Sequence, residues 1–118
     1  MKRKLLFILV LLLLVGCNNK KELSCYKKDV EFDYGVMDRF VTFYMDNQDY
    51  ITSATIKEDR KYNNEEDSFS FLDNNSEYTE KISDTELTYT EIKKYDEKVL
   101  SNEIKRAMEA QEYTCNYK

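Results

Sequence analysis

The stretch FVTFYMDNQDYITSATIK, residues 40–57, decides the fold. In its first half Val41, Phe43 and Met45 fall on one side of an extended chain, and Phe40, Thr42 and Tyr44 on the other. That period of two, carried by β-branched and aromatic residues, is the pattern of a strand. Asp46-Asn47-Gln48-Asp49 is a cluster of turn formers. Tyr50 to Lys57 alternates again and places Tyr50, Thr52, Ala54 and Ile56 on one face. Strand, turn and strand predict an antiparallel hairpin.

Upstream, Cys25 to Phe32 is a further extended run, separated from the hairpin by Gly35, where a turn calls for positive φ. The economical arrangement of Cys25 to Tyr62 is a meander of three antiparallel strands. Downstream, Lys57-Glu58-Asp59-Arg60-Lys61 reads as the solvated end of a strand. Glu65 to Leu72 forms either a short helix burying Phe69 and Leu72 or an irregular excursion. Glu86 to Ile92 returns to a strand pattern, with Leu87 and Tyr89 opposite Thr88, Thr90 and Ile92. Leu100, Ile104, Ala107, Met108 and Gln111 then recur at helical steps, opposite Asn102, Glu103, Lys105, Arg106 and Glu109. This predicts an amphipathic helix of about three turns packed on the sheet, with Ser101 or Asp96 as N-cap. The expected fold is α+β: an antiparallel sheet of about four strands, a C-terminal helix and an optional second short helix.

The N-terminus is of a different kind. Lys2, Arg3 and Lys4 precede an unbroken apolar run from Leu5 to Val15, which is shorter than the roughly 20 residues a membrane span needs but suits a signal-peptide core. It ends in Leu14-Val15-Gly16-Cys17, which resembles a bacterial lipobox. That resemblance implies cleavage between Gly16 and Cys17 and a diacylglyceryl thioether on Cys17, with residues 1–16 removed. Residues 17–23 would then be the lipidated N-terminus and a polar tether, and residues 24–118 a single small domain. Two acyl chains suffice for stable anchoring, so the expected location is the extracytoplasmic side of a cell membrane. Removing three cations and no acids leaves 15 Lys and Arg against 23 Asp and Glu, a net charge of −8. Such a surface repels nucleic acid and anionic headgroups.

With Cys17 acylated, Cys25 and Cys115 remain, at the two ends of the domain and in a compartment that permits disulfides. A structural bridge is the favoured reading over free thiols, a redox pair or metal ligands, since the chain has no CxxC and no histidine.

The layout resembles the small YehR-like bacterial lipoproteins of unassigned function. The resemblance is carried by Leu14 to Cys17, Ser24-Cys25, the strand-turn-strand of Val41 to Ile56, and Glu103-Ile104-Lys105 leading to Tyr113-Thr114-Cys115. It implies an extracytoplasmic α+β domain and imports no catalytic residue.

Several chemistries lack their residues. Without histidine there is no Ser-His-Asp or Cys-His machinery, and one glycine beyond residue 16 builds no phosphate loop. Paired carboxylates need a concave site, which so small a domain rarely offers. Asp73, Asn75 and Glu77 stand at alternate positions as in a calcium loop, but Tyr78 replaces the turn glycine and Asp84 the bidentate Glu. A solvated loop is the better reading, and neither metal nor cofactor is expected. The strand of residues 40–45 offers apolar surface on both faces, so Phe40 and Tyr44 form a candidate interaction face unless residues 65–82 cover it. The function expected is therefore that of a membrane-anchored, non-catalytic binding module for an envelope protein, a peptide or an extracellular ligand. The alternatives are a protective lipoprotein of the immunity or superinfection-exclusion type and a structural envelope component.

Overall fold

The computed structural model describes residues 21–118. The basic and apolar leader, Gly16, Cys17 and the start of the tether lie outside the described residues. The domain is α+β: six antiparallel strands in one sheet and two helices. The strands are β1 (Glu22–Phe32), β2 (Gly35–Met45), β3 (Ile51–Tyr62), β4 (Thr79–Lys81), β5 (Glu86–Lys94) and β6 (Thr114–Tyr117). The helices are α1 (Glu65–Asn74) and α2 (Ser101–Ala110). Across the sheet the order is β4-β5-β3-β2-β1-β6. No described helix is long and apolar enough to cross a membrane.

The three-strand meander forms as the alternation predicts, with Val41 opposite both Cys25 and Ile56. The sheet has six strands rather than about four because β4 and β6 add to the expected set. At three and four residues they are too short to show a period. β1 begins at Glu22, so Glu22 and Leu23 of the expected tether belong to the sheet, and Leu23 is fully buried.

Two bulges set which side chains face inward. Thr52 is an extra residue opposite the Tyr44 and Met45 step, where the register moves from Ser53 to Ile51. The inserted residue turns the strand over locally. Ile51, and not Tyr50 or Thr52, therefore joins Ala54 and Ile56 in the core. In β1, Lys28 and Asp29 together oppose Asp38. Asp29 adopts φ 55° and its amide donates to Asp38 Oδ1 at 3.0 Å.

Gly35 does not have the positive φ expected of it; the turn is Asp33-Tyr34, and the glycine opens β2. Its role is close approach, since a Cβ there would stand 2.0 Å from the Lys61 carbonyl oxygen of β3. Gly35→Ala is expected to destabilise the domain by about 1–3 kcal/mol through this overpacking, read as a lower urea midpoint with an unchanged slope.

Helix α1 forms, but in a phase that differs from the expectation. Asn64 is its N-cap and accepts a hydrogen bond from the Asp67 amide at 2.9 Å, and Glu65, Glu66 and Asp67 fill the first turn. With that start, Ser68 is fully buried and Phe71 meets the sheet, whereas Phe69 is exposed. Asn64→Ala is expected to cost about 1 kcal/mol. In α2 the N-cap is Leu100, which makes no side-chain capping bond, and not Ser101 or Asp96. Ser101 is the first helical residue, with its hydroxyl 3.3 Å from Tyr117 Oη. Ile104 and Met108 pack on the core, while Ala107 and Gln111 are exposed.

Candidate functional site

Directly opposed residues of an antiparallel sheet share a face, so the register separates two surfaces. On the covered face lie Leu23, Cys25, Val41, Phe43, Ala54 and Ile56, which with Met45, Ile51 and Tyr113 form the core beneath α2. Farther along the same face, Tyr62 and Tyr89 meet Phe71 of α1 at ring separations of 6.1 and 5.7 Å. Both helices therefore sit on one face of the sheet, at opposite ends of it.

Between them lies a polar cluster that the sequence reading missed. Glu58, expected at a solvated strand end, is buried and shares the parity of Ile56. Its Oε1 accepts from Arg60 Nη2 at 2.7 Å and Nε at 2.9 Å, and its Oε2 lies 3.2 Å from Arg39 Nε. That last contact is electrostatic and not an aligned hydrogen bond, which leaves Arg39 Nε without one. Arg39 Nη1 donates to Tyr113 Oη and Arg60 Nη1 to Tyr62 Oη, each at 3.0 Å. The Arg60 guanidinium also stacks 4.1 Å above the Phe71 ring. Burial works against the Arg60 charge, but the bonds to Tyr62 and Glu58 outweigh it and raise the pKa. The cluster ties the α1 end to the α2 end and is structural in its chemistry: each charge is answered by a neighbour. The available signal was the alternation of Ile56, Glu58, Arg60 and Tyr62.

Nearby, Tyr89 donates to Glu91, and this bond, followed by burial, raises the phenol from its ordinary value of 10 to about 12. A pKa raised on folding contributes stability below the unfolded value and loses it as pH climbs to the folded one. The Tyr89 contribution is therefore complete below pH 10 and lost between 10 and about 12. Titration of tyrosinate absorbance should show a late-ionising phenol that Tyr89→Phe removes.

Cys25 and Cys115 are disulfide-bonded across β1 and β6, with Cα atoms 4.1 Å apart. Among the described residues no group of three or more His, Cys, Asp or Glu is placed to hold a metal ion. The calcium-like spacing is broken up: Asp73 lies in the last turn of α1, Asn75 caps it, and Asp84 pairs with Lys81 at 3.1 Å. Two of the open clefts among the described residues lie beside the helices. One of about 420 Å³ is lined by Lys21, Asp49, Leu100 and Tyr117, and one of about 270 Å³ by Arg60, Tyr62, Asp67 and Asn74. In the larger, Lys21 and Asp49 are paired at 3.3 Å, and in the smaller Arg60 already serves Glu58.

Among the described residues no helix lies on the opposite face. Phe40 and Tyr44 both lie on it, half-buried among their neighbours in the sheet. Phe40 is directly across from Tyr26 on one side and Lys57 on the other, whose ammonium lies 6.0 Å from the Phe40 ring centre. Tyr44 lies between Glu22 and Ser53. Residues 65–82 do not cover this surface, because the contacts of α1 and β4 are with the other face and with the β5 edge. Comparison of the chain with protein-family models, with curated proteins and with solved structures yields no match.

Proposed function

We propose that this chain is a lipid-anchored, extracytoplasmic binding module that meets its ligand on the open sheet face around Phe40 and Tyr44, without a catalytic step. The observation that carries the reading is the placement of both helices on one face, so that among the described residues no helix covers the aromatic side chains on the other. Apolar surface of this kind is retained where a partner covers it. The basic residues, apolar run and Leu14-Val15-Gly16-Cys17 supply the anchor, in keeping with the likeness to YehR-like lipoproteins. The sheet begins at Glu22, five residues after Cys17, which holds the domain against the bilayer.

Two measurements test this. Cys17→Ser should move the protein out of the membrane fraction and abolish incorporation of labelled fatty acid; retention of both would sink the anchor. Phe40→Ala and Tyr44→Ala should each lower stability by no more than about 1 kcal/mol, the scale of a cross-strand pair on an open face, while reducing crosslinking of the full-length lipoprotein to its ligand in intact envelopes. Unfolding of either variant would instead make the pair core and remove the interaction face.

A further inference from the structure

The side-chain charge is divided unevenly along the strands. A cut just beyond the row that joins Lys27, Arg39 and Glu58 separates two halves of the domain. Residues 28–38 and 59–88, which include α1 and β4, form one half and carry 13 acids against 4 bases. The remaining described residues carry 10 of each. The whole net charge of the described residues, −9, therefore belongs to the α1 half.

The neutral half is the one through which the chain enters. At its tip Glu22 exchanges backbone hydrogen bonds with Lys118, Tyr50 bridges to Leu100, and Lys21, Asp49 and Tyr117 line the cleft of about 420 Å³. Two tyrosines stand there beside lysines. The Lys98 ammonium lies 5.6 Å from the Tyr50 ring centre, and that of Lys105 lies 5.4 Å from the ring of Tyr117, which is 48% exposed. Tyrosine rings and lysines with apolar stems suit a membrane–water boundary, where the ring meets apolar groups and the charge reaches the headgroups.

Distances decide how the domain stands on its anchor. From Cys17 to Glu22 is five residues, at most about 18 Å of extended chain, so the entry tip cannot leave the surface. An anionic surface acts over a Debye length of about 8 Å at physiological salt. Along β2, Asp38 is seven residues from Met45 at the entry end, about 23 Å at about 3.3 Å per residue. With its strands upright, the domain holds the acidic half nearly three Debye lengths beyond its own tip. Laid flat, it brings that half into the negative potential, and the open face meets lipid with its row of Asp38, Asp59 and Glu80.

We infer that the tip holding Lys21, Tyr50, Lys98, Lys105 and Tyr117 is a bilayer-contact surface, and that the domain stands on it with the acidic α1 half turned away from an anionic membrane. This rests on the lipid-anchor part of the proposed function and adds the surface that meets the bilayer. It also leaves the Phe40 and Tyr44 face open sideways.

The test is photocrosslinking of the full-length lipoprotein in nanodiscs of phosphatidylcholine and phosphatidylglycerol containing a trace of phospholipid with a photoreactive headgroup, with the labelled residues mapped by mass spectrometry. Residues 49–50, 98–105 and 117–118 should take roughly tenfold more label than residues 65–82, given the short reach of the surface potential. The variant Asp73→Lys, Glu77→Lys and Glu80→Lys changes only exposed positions. It should gain label on residues 65–82 in the anionic discs and not in discs of phosphatidylcholine alone. Even labelling of the two halves overturns the inference, as does label concentrated on Tyr26, Phe40 and Tyr44, or a charge-reversed variant labelled like the parent in anionic discs. Protein that fails to enter the discs removes the anchor and this surface together, whereas entry with even labelling removes the surface alone.

Discussion

Replacing Cys25 and Cys115 by alanine should lower the unfolding free energy by about 4–5 kcal/mol, the chain-entropy value for releasing a loop of this length. The bridge joins residues 90 positions apart and closes nearly the whole domain into a ring. Small domains have little stability in reserve, commonly about 5–15 kcal/mol, so the loss takes a large share of the total. Both cysteines also lie in the core, at 2% and 7% exposure, so the variant loses packing as well as the crosslink. Urea titration of the full-length protein with and without reductant measures the effect. The reduced protein should unfold at a much lower midpoint, and coincident midpoints would show that the sheet is held without the bridge.

The second large effect should come from Glu58→Ala. Among the described residues Glu58 is the carboxylate that answers both Arg39 and Arg60 at the centre of the covered face. Its removal leaves two guanidinium groups facing each other over a site they share, and breaking a buried pair from one side costs about 3–5 kcal/mol. Arg39 is about one third exposed, with its side chain at 36%, and water will screen part of that loss. An effect of about 3 kcal/mol is therefore expected. The combined variant Arg39→Met, Glu58→Leu and Arg60→Met should recover much of it, because an apolar replacement of a whole buried network is often neutral. A Glu58→Ala protein as stable as the parent would mean that the arginines reach solvent unaided.

The hairpin of residues 40–57 was legible because its side chains alternate without interruption through Met45, and the C-terminal helix because Ile104 and Met108 fall four residues apart. What escaped has a physical reason in each case. The bulge at Thr52 adds a residue without marking the composition, yet it decides that Ile51 is core and Tyr50 is not. Glu58 and Arg60 read as solvated because isolated charges are; paired, they take positions that their parity with Ile56 already offered. The start of α1 was written in Asn64 and the three acids that follow it, a capping signal that moves the inward face from Phe69 to Ser68 and Phe71. Phe40 and Tyr44 could be named as a surplus face from β2 alone. Whether that face stays open was decided by where both helices landed, and that is set by long-range packing of Phe71 on Tyr62 and Tyr89 and of Ile104 and Met108 on the core.

The pairing of β1 with β6 has a mechanical meaning. Glu22 and Lys118 exchange backbone hydrogen bonds, so the chain enters and leaves the sheet at the same corner. Tension applied between Lys21 and Lys118 pulls these two strands apart one rung at a time, and it meets the Cys25 to Cys115 bond after the rungs at Leu23 and Ser24. From there the load runs through sulfur from one end of the chain to the other. The 89 residues enclosed between the two cysteines carry none of it, so β2, with Phe40 and Tyr44, stays outside the path of the load.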